Sequence, residues 1–232
     1  MAGPEPATQS RKRRCLLLWM GGSSPPMVCK RDSGKTTAAL TSDMVAPDGK
    51  KKEWPDGAVF TVGHSTLPIE QFISRLQAYN IEALADVRTV PRSRHNPQFN
   101  ADTLAASLAK AGIVYVPMPA LGGLRRPAKD SPNTGWRNES FRGYADYMQT
   151  PAFRAALEAL MALRRGKRTA IMCAEAVPWR CHRSLVADAL NVQGVPVVEI
   201  MSQTAARLHT LTPFARVDGT SLTYPPEQAR LL

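Results

Sequence analysis

No apolar run in this 232-residue chain approaches the roughly 18 to 20 residues needed to span a bilayer, which excludes a helical membrane protein and predicts a soluble, cytoplasmic one. Cysteine is scarce. The four present, Cys15, Cys29, Cys173 and Cys181, do not form a disulfide framework, and a chain of this length needs none, so they read as reduced thiols in a reducing compartment. Arg11-Lys12-Arg13-Arg14 followed by Cys15 to Met20 imitates a secretory signal. Its apolar run is only six residues, and Gly21-Gly22-Ser23-Ser24-Pro25-Pro26 offers no small-x-small cleavage pattern, so export is not expected. Ser33-Gly34-Lys35-Thr36-Thr37 resembles part of a phosphate-binding loop. The glycine that pattern requires five positions before Gly34 is Cys29, and no strand precedes it, so the match is rejected. There is no internal repeat.

The composition is that of a chain able to bury a core, with 44% hydrophobic and 21% charged residues. The net charge is +11. Residues 1–54 carry 10 basic and 5 acidic side chains, leaving 20 and 14 for residues 55–232, a net +6. Of those 20 basic residues 17 are arginine, whose planar fork suits phosphate and carboxylate, so the expected partner is an anionic small molecule or nucleic acid. A coding bias toward arginine is the alternative.

Residues 1–54 mix Pro, Gly, Ser and Lys without apolar periodicity and read as a disordered basic N-terminal extension. Residues 55–232 read as a single α/β domain. Strands are expected over 58–62, 82–87, 114–118, 169–173 and 195–201. Between them lie helices marked by Ile69, Phe72, Ile73, Leu76 and Tyr79; by Leu104 and Leu108 after an Asn100 cap and before Gly112; by a stretch near 141–148; by Phe153, Leu157, Leu160 and Leu163 after Thr150-Pro151; and by 184–192. Strand and helix alternating through short links predict a three-layer fold, a mainly parallel sheet of about five strands with helices on both faces. Beyond Ser202 the pattern weakens, and the tail after Arg207, with Pro213, Pro225 and Pro226, is expected to wrap the domain edge.

Ligands of open parallel sheets bind beyond the carboxyl ends of the strands. There this sequence places Gly63-His64-Ser65, then Asp86 and Arg88 leading to Pro91-Arg92-Ser93-Arg94, then Leu121-Gly122-Gly123 and Arg125, then Cys173-Ala174-Glu175 and Cys181-His182-Arg183. A strand ending in a thiol, a loop, and a helix start flanked by Arg183 would favour an anion and lower a thiol pKa, making Cys173 or Cys181 a candidate thiolate. A buried core cysteine is the alternative for Cys173. Six residues separate Cys173 from Arg180, against the tight loop of about five in phosphatases and sulfurtransferases, so that pattern is met imperfectly. Glu175 and Asp86 are the carboxylates placed for acid–base work or for orienting arginines, with a structural ion pair to Arg88 the favoured role for Asp86. His64 and His182 could move protons, or serve as hydrogen-bonded structural groups. The Cys173 to Cys181 spacing is not a recognised zinc pattern, so no metal is expected, a site adding His64 being the weaker alternative.

Thr61-Val62-Gly63-His64-Ser65, Asp86-Val87-Arg88 with Pro91 and Ser93, Leu121-Gly122-Gly123, Cys173-Ala174-Glu175 and Cys181-His182-Arg183 occur in an order and spacing that resembles the domain-of-unknown-function 488 family. That resemblance implies a three-layer α/β domain and residues worth mutating. It brings no activity, and it does not extend to the basic stretch before Trp54. The functional expectation is an enzyme acting on a phosphate-bearing substrate, a nucleotide or nucleic acid. Cys173, Glu175, His182 and His64 are its candidate catalytic residues, and Arg88, Arg92, Cys181, Arg183, Asp86, Gly122 and Gly123 its candidate substrate-binding residues. A non-catalytic nucleic-acid-binding module is the alternative. Neither a cofactor nor an oligomeric state is legible.

Overall fold

A computed structural model describes residues 53–226. The expected extension over 1–54 falls almost wholly outside them. The chain runs β1 (Val59–Gly63), α1 (Ile69–Ala78), β2 (Ala83–Asp86), α2 (Ala101–Lys110), β3 (Val114–Pro117), α3 (Glu139–Met148), α4 (Pro151–Gly166), β4 (Thr169–Cys173), α5 (Arg183–Val192), β5 (Val197–Ile200) and β6 (Ala206–Leu208), then β7 (Arg216–Asp218) and β8 (Ser221–Thr223). Six strands form one sheet in the order β3-β2-β4-β1-β5-β6, and β7 pairs with β8 alone. The first five strands of that order are parallel, and β6 joins β5 antiparallel.

Side chains alternate across the sheet as a period of two requires. Phe60, Val62, Leu84, Ala170, Met172 and Val198 pack with Phe72 and Leu76 of α1 and with Leu104 and Leu108 of α2. Val59, Ala85, Val87, Ile171 and Val197 face the other way, against α3, α4 and α5. Because both faces are covered, the fold is a three-layer α/β domain. Helix α5 is buried from Arg183 to Leu190, which makes it the central element of its layer.

The expected sheet of about five strands gains a sixth. β6 is three residues long, lies at the sheet edge and includes Arg207, so it has too little apolar alternation to be read from sequence. Thr150 caps α4 as expected, its Oγ1 accepting from Phe153 N at 3.3 Å. Asn100 precedes α2, but its side chain accepts from Ser93 N at 2.7 Å and ties down the loop after β2 instead of capping the helix. Gly112 ends that helix with φ +74, a conformation that side chains with a Cβ disfavour. The C-terminal segment does wrap the domain: Tyr224 is fully buried and its hydroxyl donates to Asp188 at 2.8 Å.

Candidate functional site

Strands β1 and β4 are in register at their ends, Gly63 beside Cys173, and the chain beyond them stays paired. His64 N donates to Cys173 O at 3.1 Å and Ser65 N to Ala174 O at 2.9 Å. Gly63 is required there, because a Cβ would occupy the space of the Glu175 carbonyl and of Ala176. The loop after β4 is thereby laid over the end of β1 before a short 3-10 turn, Pro178–Arg180, returns the chain to α5. This path brings Cys173 and Cys181 together across seven intervening residues.

Cys173 Sγ, Cys181 Sγ and one nitrogen of His182 all lie within 4.8 Å of one another. His182 Nε2 donates to Val87 O at 3.2 Å and Nδ1 lies 3.7 Å from Cys181 Sγ. A carbonyl can only accept, so the Nε2–H bond leaves the Nδ1 lone pair of neutral His182 facing the thiols. The ring is wedged against Gly123, where any Cβ would collide with it, and against Tyr144, 5.0 Å between centroids. Tyr144 in turn donates its hydroxyl to Leu121 O at 2.9 Å, which holds the Leu121-Gly122-Gly123 loop in place.

Arg183 lies beneath this cluster and is 1% exposed. Its Nη1 donates to Thr61 Oγ1 at 2.7 Å and Nη2 to Glu175 O at 2.5 Å, while Nε has no partner among the described residues. No carboxylate of the described residues pairs with it. A buried guanidinium without a counter-charge favours a negative charge nearby, and the two thiols are the groups that can supply one. The hydrogen bond from Cys173 holds the Cys181 thiol well below its ordinary range, against burial and with help from Arg183. That bond and burial push Cys173 up, the opposite direction to its partner.

A second network stands beside the first. Asp86 and Arg88 form the expected ion pair, Nη2 to Oδ2 at 2.6 Å, with Nε donating to both carboxylate oxygens. Arg88 Nη2 also donates to Phe99 O at 2.8 Å, Nη1 lies 3.3 Å from His64 Nε2, and Tyr115 OH donates to Asp86 at 2.8 Å. His64 is 2% exposed, donates from Nδ1 to Ser65 O at 2.8 Å and stacks on Phe99, 4.1 Å between centroids. Burial lowers its pKa to about 4, so it is neutral and both nitrogens are committed.

The candidate residues thus separate. Cys173, Cys181 and His182 converge, with Gly123 against the histidine and Gly122 packed on Thr89. His64, Asp86 and Arg88 satisfy one another inside the fold, and Arg183 is spent on Thr61 and the Glu175 carbonyl, which leaves neither arginine free to grip a substrate anion. Arg92 is exposed, and the half-buried Glu175 side chain has no partner among the described residues. The weaker alternative of a metal site completed by His64 does not match the geometry, since the His64 ring lies in the other network and it is His182 that stands beside the two thiols. Sequence spacing could not indicate this, because the orientation of His182 depends on the folded path that sets its ring against the Val87 carbonyl and Gly123.

Arginines missed or only skirted at first complete the edge. Arg94, Arg126 and Arg180 join Arg92 as exposed residues on loops that follow β2, β3 and β4, and none of the four has a carboxylate partner among the described residues. A cavity of about 350 Å³ borders the Pro178–Arg180 turn, lined by Trp136, Trp179, Ser184, Arg207, His209 and Phe214 among others. No helix of the described residues is long and apolar enough to cross a membrane. No curated protein and no solved structure matches the chain. The family model described as domain of unknown function DUF488 matches residues 68–190, a span that covers four of the five motifs, and the chain belongs to that family.

Proposed function

We propose that this protein is an enzyme acting on a phosphate-bearing substrate, a nucleotide or a nucleic-acid strand, with Cys173, Cys181 and His182 as the reacting centre. The observation that carries the reading is the convergence of two thiols and an oriented imidazole at the carboxyl ends of the central strands β4 and β1. Parallel sheets place their ligands there, and the loops around this centre supply exposed arginines for anionic oxygens. Glu175 is the carboxylate available for proton transfer. The bordering cavity, with the rings of Trp136, Trp179 and Phe214, suits a planar base, and Arg207 stands 5.2 Å over the Trp179 ring.

Those unpaired arginines also favour the second reading, a module that holds nucleic acid without turning it over. The full chain, assayed against phosphomonoesters, phosphodiesters, nucleotides and single-stranded oligonucleotides, separates the two. Enzyme action predicts that Cys181→Ser, His182→Gln or Glu175→Gln lowers kcat by about 10²-fold or more, whereas Arg92→Ala and Arg180→Ala raise KM. Binding without turnover of any of these substrates would leave the module.

A further inference from the structure

We propose that Cys173 Sγ, Cys181 Sγ and His182 Nδ1 form a three-ligand site for a zinc-like divalent cation, with the fourth position open to water or a substrate oxygen. The donors are two sulfurs and an imidazole nitrogen, a set that suits zinc and other borderline metals rather than magnesium or calcium. A tetrahedral site with Zn–S near 2.3 Å and Zn–N near 2.0–2.1 Å requires a sulfur–nitrogen edge of about 3.5–3.6 Å. The Cys181–His182 edge is 3.7 Å, and all three donor atoms lie within 4.8 Å of one another. The cluster therefore needs only a small inward movement to close on a cation.

The histidine is prepared for this. Donation from Nε2 to Val87 O selects the tautomer whose Nδ1 lone pair points at the sulfurs, which is the outer-shell arrangement usual for a ligating imidazole. Gly123 and Tyr144 restrict the ring on either side. Hydrogen bonding to the thiols alone would not require both the fixed tautomer and the ring clamp. Three protein ligands with one open position are the arrangement of catalytic rather than structural zinc, whose sites carry four. Both sulfurs ligate as thiolates, so thiol protons leave to solvent on binding.

The cation's catalytic role rests on the enzyme reading above, but its binding does not, and the test keeps them apart. The full-length chain, stripped with a chelator under reducing conditions, is titrated with cobalt(II). One equivalent should produce thiolate-to-cobalt charge-transfer absorption and the intense d–d bands of a tetrahedral site, and zinc should bleach both. Cys181→Ser and His182→Gln should each weaken uptake at least 10-fold with circular dichroism unchanged. Gly123→Ala, which displaces the His182 ring without touching a donor atom, should weaken it as well and serves if a ligand variant fails to fold. Cys15→Ser/Cys29→Ser should keep the full signal. Absence of the charge-transfer band, or its loss in the Cys15/Cys29 variant and survival in Cys181→Ser, overturns the site. Cobalt uptake without turnover of any phosphate substrate defeats the enzyme reading alone, whereas undiminished turnover by stripped protein that takes up no cobalt defeats the metal site alone.

Discussion

A neutral imidazole can donate to one carboxylate but would repel a second, so His209, with Nε2 2.9 Å from Asp188 and Nδ1 2.8 Å from Glu199, is held as imidazolium. Burial alone would lower its pKa, but the hydrogen bonds to Asp188 and Glu199 raise it to about 9. A raised folded-state pKa contributes stability that is fully present below the unfolded value of about 6.5 and is lost as pH rises through the folded one. Denaturant midpoints should accordingly fall between about pH 6.5 and pH 9, and His209→Gln should flatten that fall. The same variant leaves the buried Asp188 without its cation, Glu199 keeping Arg207, and should cost about 3 kcal/mol at neutral pH. Asp86→Asn makes the matching case in the opposite charge. It strands Arg88, whose guanidinium is 7% exposed, and a loss of about 3 kcal/mol by chemical denaturation is expected. A change under 1 kcal/mol would mean that Phe99 O and His64 suffice to hold Arg88.

At the scale of elements, the clearest features in the sequence were those whose signal is local. The strand over 169–173 and the α4 start at Thr150-Pro151 follow from β-rich composition and from capping chemistry, and both are where the residues place them. β6, β7 and β8 span three residues each, too short for an alternation to register, and they depend on β5 or on each other for their pairing. The site was legible as a location but not as a geometry. Arg88 and Arg183 carry the charge expected of anion binders, yet their partners are Asp86, the Phe99 carbonyl, Thr61 and the Glu175 carbonyl, which stand 2, 11, 122 and 8 positions away and so share no spacing that a sequence pattern could announce. Only the folded path selects between an inward and an outward arginine. The Gly63 crossing is the element that sets this path, and Gly63→Ala should push the 174–176 loop off β1. Thermal denaturation should show a loss of at least about 2 kcal/mol, and near-normal stability would mean that the loop yields easily.

For the described domain as a whole, basic side chains stand at both ends of the sheet. Arg92, Arg94, Arg126 and Arg180 follow the carboxyl ends of β2, β3 and β4, whereas Lys110, Arg164, Arg165 and Lys167 precede β3 and β4 and so lie toward the amino ends. The net +6 of residues 55–232 predicts salt-dependent polyanion binding in either case, but the origin of that dependence differs. If the carboxyl-end loops hold the phosphates, each of Arg92→Ala, Arg126→Ala and Arg180→Ala should reduce the slope of log K against log salt by about 1 for a single-stranded oligonucleotide. Lys110→Ala and Lys167→Ala should leave it unchanged. Fluorescence anisotropy of a labelled oligonucleotide across a salt series reads these slopes directly. Equal effects from both edges would describe a diffuse attraction of a basic protein for any polyanion, and would detach nucleic-acid binding from the Cys173–Cys181–His182 centre. A carboxyl-edge effect alone places the phosphates beside that centre, because the loops carrying these arginines are the ones that close around it.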